Sequence, residues 1–237
     1  GARDGYPMAM EDLFSDQAIR GQRLTRGGVE SLLGGARHLI DCDLEEADLS
    51  RLDLSRWTFE RCNLRRADCA ETILEGTNWQ SCRGAFASFT GGDLSDATFI
   101  ASDFNNSSFK RATLESAKFV RCKLTGADLT RVKAVEIHFD ETLLINAKLL
   151  EHSFRDATLK RIDFAQADLR KADFRRVRFE ECSLREASLE GARFEGADLR
   201  GADLGGVRLI DAALFRGATI SREQAGQLLS ELGINVR

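Results

Sequence analysis

The sequence predicts an all-β solenoid, a chain that winds many times around one continuous core, and a five-residue repeat is the first observation that supports this. In copies such as Ala127-Asp128-Leu129 and Ala197-Asp198-Leu199, a small residue precedes a leucine or phenylalanine by two positions. Centre positions recur at every fifth residue from Leu39 to Leu214, 36 in all and without a frame shift, and all but four of them hold Leu or Phe. An amphipathic helix has a period of about 3.6 and a strand a period of about two, whereas a longer fixed period is typical of a solenoid.

Each five-residue unit is interpreted as one short side and one corner of a coil. Alternate side chains of an extended segment share a face, so the small residue and the centre point inward and the residue between them, often Asp, points outward. A second period of twenty residues sets the number of sides at four, and five cysteines carry it: Cys42, Cys62, Cys82, Cys122 and Cys182. Four centres per coil divide the 36 centres into nine coils, stacked about 4.8 Å apart in a rod about 43 Å long.

The N-terminal residues do not follow this pattern. Residues 1–10 contain the only Pro and the only Tyr and lack the charged and apolar regions of a secretory signal, so they are interpreted as a leftover of cloning or a disordered segment. Residues 11–36 are predicted to form an N-terminal cap, in which residues 19–24 make an imperfect first side. Such a cap is needed because the open end of a β-helix exposes its core and an unpaired strand edge. The β-helix is assigned to residues 37–216.

The C-terminal residues 217–237 are predicted to form a short α-helix and a dimerisation tail. Ser221 and Gln224 have the spacing of a capping box, and Gly233 is placed to end the helix. A self-complementary apolar patch is what a two-fold dimer requires. The predicted dimer interface consists of Leu228, Leu229, Leu232, Ile234 and Val236. In the alternative interpretation, this helix only caps the last coil.

The tandem Ala-Asp-Leu units resemble those of pentapeptide-repeat proteins over about three-quarters of the chain. This resemblance implies a right-handed four-sided parallel β-helix with very short strands. The chain end, two adjacent leucines followed by Leu232-Gly233-Ile234-Asn235-Val236, is similar to the end of the Qnr-type pentapeptide proteins. In that subgroup the terminal helix joins two rods tail to tail, and the rod protects DNA gyrase and topoisomerase IV from quinolones or a peptide toxin by DNA mimicry. The resemblance therefore implies a homodimer that binds a type II topoisomerase.

The charge distribution suits DNA mimicry in only one half of the chain. Residues 1–120 carry 19 acidic and 14 basic residues, whereas residues 121–237 carry 19 and 20, and a basic surface mimics a polyanion poorly. The acidic partner-binding surface is therefore predicted in the first half, in two outward columns that contain Asp43 with Asp103 and Asp48 with Asp68. The alternative is a protein-interaction scaffold, such as an adaptor, a regulator or a delivered effector, with no topoisomerase activity.

No catalytic residue, cofactor or metal site is predicted. The six cysteines form no Cys-x-x-Cys pair, five lie at the small inward position and Cys69 is a centre, so they are expected to be buried free thiols, as in a cytoplasmic protein. His38 and His138 share an outward position but lie five coils apart, about 24 Å along the axis. No apolar run approaches the roughly 18 residues of a membrane span. A non-enzymatic protein without direct nucleic-acid or membrane binding is expected.

Two places interrupt the repeat. At residues 132–139 the inward slots hold β-branched side chains and the centre shrinks to Ala134, while His152 takes an inward slot one coil later. In one interpretation, the imidazole fills the lost volume and is hydrogen-bonded inside the core. In the other, a local bulge redirects a surface contact. At the second place the centre is Gly84, and Phe86 is either exposed or folded inward in its stead.

Overall fold

The computed structural model of the protein describes residues 17–209 and 212–237. Its backbone forms a four-sided parallel β-helix of about nine coils that is followed by one short α-helix, so the predicted fold class is confirmed. The expectations for residues 1–10, for residues 11–16 of the N-terminal cap and for residues 210 and 211 of the β-helix lie outside the described residues.

One side of the coil carries a nine-stranded parallel sheet. Each strand pairs with the strand twenty residues further on, as Phe59 does with Trp79 and Trp79 with Phe99. The other sides pair mostly through isolated bridges with the same spacing, and there β10 (Cys182–Ser183) pairs with β11 (Ala202–Asp203). The strands of the large sheet are β1 (Ile19–Arg20), β2 (His38–Ile40), β3 (Thr58–Glu60), β4 (Asn78–Gln80), β5 (Thr98–Ile100), β6 (Lys118–Val120), β7 (His138–Asp140), β8 (Thr158–Lys160) and β9 (Arg178–Glu180).

Main-chain hydrogen bonds hold adjacent coils together. Leu44 donates its N–H to the Asn63 carbonyl at 2.7 Å, Asn63 donates to the Cys42 carbonyl at 2.9 Å, and this pattern recurs along the regular coils. The corners require a residue of positive φ, which 26 non-glycine residues supply in the described part of the chain, for example Asp41 at 53°. Because that conformation costs an L-residue about 1 kcal/mol, the corners depend on the bonds around them.

The core is a set of stacked inward columns. The rings of Phe59, Trp79, Phe99, Phe119 and Phe139 stack in sequence, with centroid separations of 4.1, 5.2, 4.8 and 5.4 Å. All six cysteines are buried and free, as predicted. Burial raises the pKa of the Cys122 thiol to about 11, so this side chain is a neutral, apolar part of the core at physiological pH.

Gly84 is a centre without a side chain, and the next coil fills its place. The buried Phe104 ring occupies the space so closely that a Cβ on Gly84 would overlap it. The same ring makes an edge contact with Trp79, at 5.8 Å between centroids. Phe86 does not fold inward: it is exposed, and the Arg66 guanidinium lies over its ring at 4.8 Å. The side chain that is missing at Gly84 is therefore replaced by a ring from the next coil.

The two ends of the β-helix differ in regularity. At the N-terminus, β1 already pairs with β2, and the short helix α1 (Arg26–Glu30) buries Val29. At the C-terminus, a 3-10 helix (Ala212–Phe215) interrupts the coil, and Thr219 pairs with Asp198, a spacing of 21 residues in place of 20. The sequence predicted a repeat without a frame shift, whereas the last coil contains one additional residue.

We expect Gly84→Leu to destabilise the β-helix by about 1–3 kcal/mol, because the added side chain overpacks the space that Phe104 occupies. Combining it with Phe104→Leu should recover much of this loss, since the two positions share one volume. Urea unfolding of both single variants and the double variant measures the coupling. If the losses of unfolding free energy in the two single variants simply add in the double variant, residues 84 and 104 do not share one volume.

Candidate functional site

The four aspartates predicted to form the acidic surface do not form one cluster. Asp48 and Asp68 are direct neighbours, paired across adjacent coils. Asp43 and Asp103 share a column, but two coils separate them, and one of these carries Arg83 at the same position. The structure therefore brings together only the pair on one side of the rod.

Each of these carboxylates also holds a corner of the coil. Oδ1 of all four accepts the main-chain N–H of the residue two positions further on, at 2.9–3.0 Å. At Asp48, the Ser50 hydroxyl adds a bond of 2.6 Å, and Arg26 lies at 3.3 Å. The hydrogen bonds from Ser50 lower the pKa of Asp48 below its ordinary value. These aspartates thus combine turn chemistry with surface charge.

A more continuous run of carboxylates lies at a different corner of the rod. Asp96 donates its N–H to the Glu115 carbonyl at 2.9 Å, and Ser116 donates to the Glu136 carbonyl at 3.0 Å, so these residues follow one another from coil to coil. Within the described residues, none of the carboxylates in this run forms a salt bridge. This run could not be predicted from the repeat motif, because all of its members but one lie at corner positions and not at the outward Asp position. We call it the acidic corner: Glu75, Asp93, Asp96, Glu115 and Glu136.

The irregularity at residues 132–139 is a local bulge. Val135 projects into solvent and is 90% exposed, and its N–H donates to Glu115 Oε2 at 2.6 Å. As a result, the Ser116 N–H bonds the Glu136 carbonyl, where the regular spacing would supply the carbonyl of residue 135. The bulge lies at the end of the acidic corner.

The bulge also interrupts the contact with the next coil. We call the two facing segments, residues 131–139 and residues 150–159, the open seam. Strand β7 pairs with β8 only through Asp140 and Lys160. A cleft of about 530 Å³ lies between the two segments and is lined by both. Within the open seam, five amides lack the inter-coil hydrogen bonds that their counterparts make elsewhere: those of Arg131, Ala134, Glu136, Ser153 and Thr158.

His152 belongs to the open seam. Its ring lies edge-on to Phe154, with 4.5 Å between centroids, and has no hydrogen-bond partner in the described part of the chain. Burial lowers the pKa of His152 to about 4, so the imidazole is neutral at pH 7. Of the two interpretations of this region, the hydrogen-bonded imidazole is wrong and a local bulge is observed; that the bulge redirects a surface contact stays a prediction.

The C-terminal helix α2 (Arg222–Glu231) begins with the predicted capping box. Ser221 Oγ accepts the Gln224 N–H at 3.1 Å, and Gln224 Oε1 accepts the Ser221 N–H at 2.8 Å. The Gln224 side chain is buried, and its Nε2 donates to the Leu199 and Ala202 carbonyls, both at 2.7 Å. One glutamine therefore caps its own helix and also satisfies carbonyls of the terminal coils.

The apolar residues of the tail divide into two groups. Leu228 is 4% exposed and packs within its own chain, so it is removed from the surface predicted for dimerisation. The other four residues of the predicted interface form an uncovered apolar surface, with exposed fractions between 39% and 55%: Leu229, Leu232, Ile234 and Val236.

The described residues contain no group of His, Cys, Asp and Glu side chains placed to hold a metal ion. None of the helices that the structure describes is long and apolar enough to cross a membrane. The candidate functional features of the described chain are therefore its acidic corner, its open seam and its apolar tail.

The fold and the repeat together define the class of protein, a solenoid built from five-residue units. A family model described as "Pentapeptide repeats" matches this chain in overlapping segments that together span residues 38–221. The chain belongs to the pentapeptide-repeat family. A comparison with curated proteins found no match.

Solved structures with a similar fold include QnrB1, described as a plasmid-mediated fluoroquinolone resistance protein. Its full-length form is 18% identical, with a TM-score of 0.54, and the match covers 92% of this chain and 97% of QnrB1. A trypsin-treated form is 22% identical, with a TM-score of 0.53 and coverage of 93% and 97%. HetL, a pentapeptide-repeat protein involved in the regulation of heterocyst differentiation in the cyanobacterium Nostoc, is 21% identical over 80% of this chain and 87% of HetL, with a TM-score of 0.37. At these identities the likeness concerns the fold.

Proposed function

We propose that this chain is a non-enzymatic binding protein that engages a type II DNA topoisomerase, DNA gyrase or topoisomerase IV, in the cytoplasm and protects it from quinolones or a peptide toxin. The observation that carries the proposal is the acidic corner, a line of carboxylates along the β-helix that form no salt bridge within the described residues. Such a line imitates the regularly spaced charges of a nucleic-acid backbone. The whole-length likeness to QnrB1, a fluoroquinolone resistance protein, supports the same proposal.

The proposed assembly is a homodimer joined through the C-terminal tail. Four exposed apolar residues on an element of this size are an unusual surface for a monomer. Pairing across a two-fold axis would bury Leu232 of each copy against the apolar residues of the other. The two rods would then extend in opposite directions, and each would present its acidic corner.

A protein-interaction scaffold is the second candidate function. It is favoured by the engagement of the outward aspartates in corner hydrogen bonds, because this gives them a structural role that needs no partner. The balanced charge of residues 121–237, with 19 acidic and 20 basic residues, also favours it. In this case the rod would present a wall to another protein and leave gyrase unaffected.

We expect the purified protein to relieve ciprofloxacin inhibition of gyrase supercoiling, and its binding to gyrase to weaken as salt rises, because exposed charges are screened over about 10 Å at 0.1 M salt. The triple variant Glu75→Gln, Asp96→Asn, Glu136→Gln should bind about tenfold more weakly, since each exposed charge contributes up to about 1 kcal/mol. Glu115 is left intact because it holds the Val135 amide.

The matched control is Glu151→Gln, Glu181→Gln, Glu190→Gln, which removes three exposed carboxylates that lie outside the acidic corner and form no salt bridge within the described residues. It should protect gyrase as the parent does. If both triple variants weaken gyrase binding equally, the effect is one of net charge and not of the acidic corner. If micromolar protein does not relieve the inhibition, the scaffold function is favoured.

The four aspartates predicted from sequence are tested separately as asparagines. An asparagine Oδ1 still accepts the corner hydrogen bond, so only the charge changes. If Asp43, Asp48, Asp68 and Asp103 contact the topoisomerase, their combined replacement by Asn weakens binding without changing the melting temperature. If they serve the corners alone, both quantities stay at the parent values.

For the dimer, we expect Leu232→Glu with Ile234→Glu to give monomers with an intact β-helix, because burying charged side chains at the two-fold contact is unfavourable. Light scattering measures the mass, and circular dichroism measures the fold. Gln227→Glu, an exposed position on the same helix, is the control and should remain dimeric. A parent chain that is already monomeric would leave the tail as a cap only.

A further inference from the structure

The cleft of the open seam is continuous with the surface proposed for the topoisomerase. Glu136 lines the cleft and is also the last carboxylate of the acidic corner. Val135 lines the cleft as well, and its amide is held at 2.6 Å by Glu115, another member of the acidic corner. A protein that lies along the acidic corner therefore also reaches the mouth of the cleft.

The inward side chains explain why a cleft forms at this coil. The small slots hold Val132 and Ile137, where the previous coil has alanines. The large slot holds Ala134, where the previous coil has a leucine. Bulky residues in small slots overpack the corners and an alanine in the large slot underfills the side, so the coil does not lie flat on its neighbour.

The floor of the cleft is apolar and partly accessible. Phe139, Phe154 and Leu159 line it and are buried, whereas Ile137 and Ala157 line it and are half-buried. The cleft volume of about 530 Å³ is ample for one side chain and lies in the range of small binding sites. An apolar group placed over Ile137 and Ala157 would remove their remaining apolar surface from water, which is favourable.

The charges around the cleft do not favour a charged occupant. Among the carboxylates and guanidinium groups that line it, Arg155 is paired with Asp173 at 3.1 Å and Asp156 is paired with Arg176 at 2.5 Å. Glu136 forms no salt bridge within the described residues, and it already belongs to the acidic corner. An uncharged, apolar side chain is therefore the occupant that suits this floor.

We propose that the cleft is the specificity pocket of the topoisomerase contact and receives one apolar side chain of the topoisomerase. This inference rests on the proposed function. Basic residues of the topoisomerase meet the acidic corner, and an adjacent apolar side chain packs on Ile137 and Ala157, with Val135 beside it at the rim. Carboxylates alone attract many basic surfaces, whereas a desolvated apolar contact within a charged rim requires a partner of matching shape.

Ala157→Leu tests the pocket, because the larger side chain occupies the cleft without changing any charge. We expect gyrase to bind this variant at least tenfold more weakly, and by the same factor at 0.1 M and at higher salt, since salt screens charges and not apolar contacts. The triple variant of the acidic corner should instead lose most of its effect as salt rises. Ala165→Leu makes the same change at a half-buried position outside the cleft and the acidic corner, and it should bind as the parent does.

Val135→Thr tests the rim of the pocket. Threonine has nearly the shape of valine but adds a hydroxyl, and Val135 is 90% exposed, so the melting temperature should not change. We expect gyrase binding to weaken at least threefold, because the hydroxyl loses its hydration in the contact. Val120→Thr is the same change at a half-buried position of β6 that does not line the cleft, and it should leave binding unchanged.

A measurement without gyrase tests whether the cleft accepts an apolar side chain. The probe is N-acetyl-leucine amide at millimolar concentration, and the methyl resonances of Ile137 and Ala157 report on the cleft by NMR. Both should shift in the parent, whereas the methyl resonance of Ala165 should not. The shift of Ile137 should be lost in Ala157→Leu, since the cleft is then filled.

The outcomes separate this inference from the function on which it rests. If the parent binds gyrase and a folded Ala157→Leu variant binds equally well, the pocket is refuted and the proposed function stands. Equal weakening by Ala157→Leu and Ala165→Leu, or a loss that disappears at higher salt, also refutes the pocket. If the parent does not bind gyrase, the proposed function and the pocket fail together. If Ala157→Leu does not fold, equal binding by Val135→Thr and Val120→Thr refutes the pocket.

Discussion

The hydrogen bonds between successive coils are the interaction on which the rest of this structure depends. They fix the twenty-residue register, and the register places small residues over small residues and rings over rings in the core. Each coil contacts only its neighbours, so stability accumulates coil by coil. For the same reason a local fault does not propagate: coils on either side of the open seam keep the regular pairing.

The same register decides what the surface offers. An outward Asp accepts a corner hydrogen bond and also displays a charge, so a carboxylate in the motif is not by itself evidence of a binding surface. The acidic corner differs from these aspartates. The side chains of Glu75, Asp96 and Glu136 do not accept the corner hydrogen bond and form no ion pair in the described chain. Charged side chains that the coil does not need for its own hydrogen bonds are therefore the better evidence of a binding surface.

The period of the sequence predicted the fold because inward positions obey packing alone. The four sides, the buried thiols and the capping box at Ser221 all followed from spacing. Features set by neighbours in space did not follow. Leu228 faces its own chain while Leu229 faces solvent, Phe104 replaces the side chain missing at Gly84, and the extra residue before Thr219 left no mark in the five-residue frame.

Native-state hydrogen exchange measured residue by residue tests this account most directly. Amides of regular coils, such as those of Leu64 and Leu124, should be protected to the level of global unfolding. The amides of Ala134, Glu136, Ser153 and Thr158 should exchange on the order of 100-fold faster, because no coil-to-coil bond protects them. Continuous protection from residue 131 to residue 159, or fast exchange within the coils described as regular, would contradict the account.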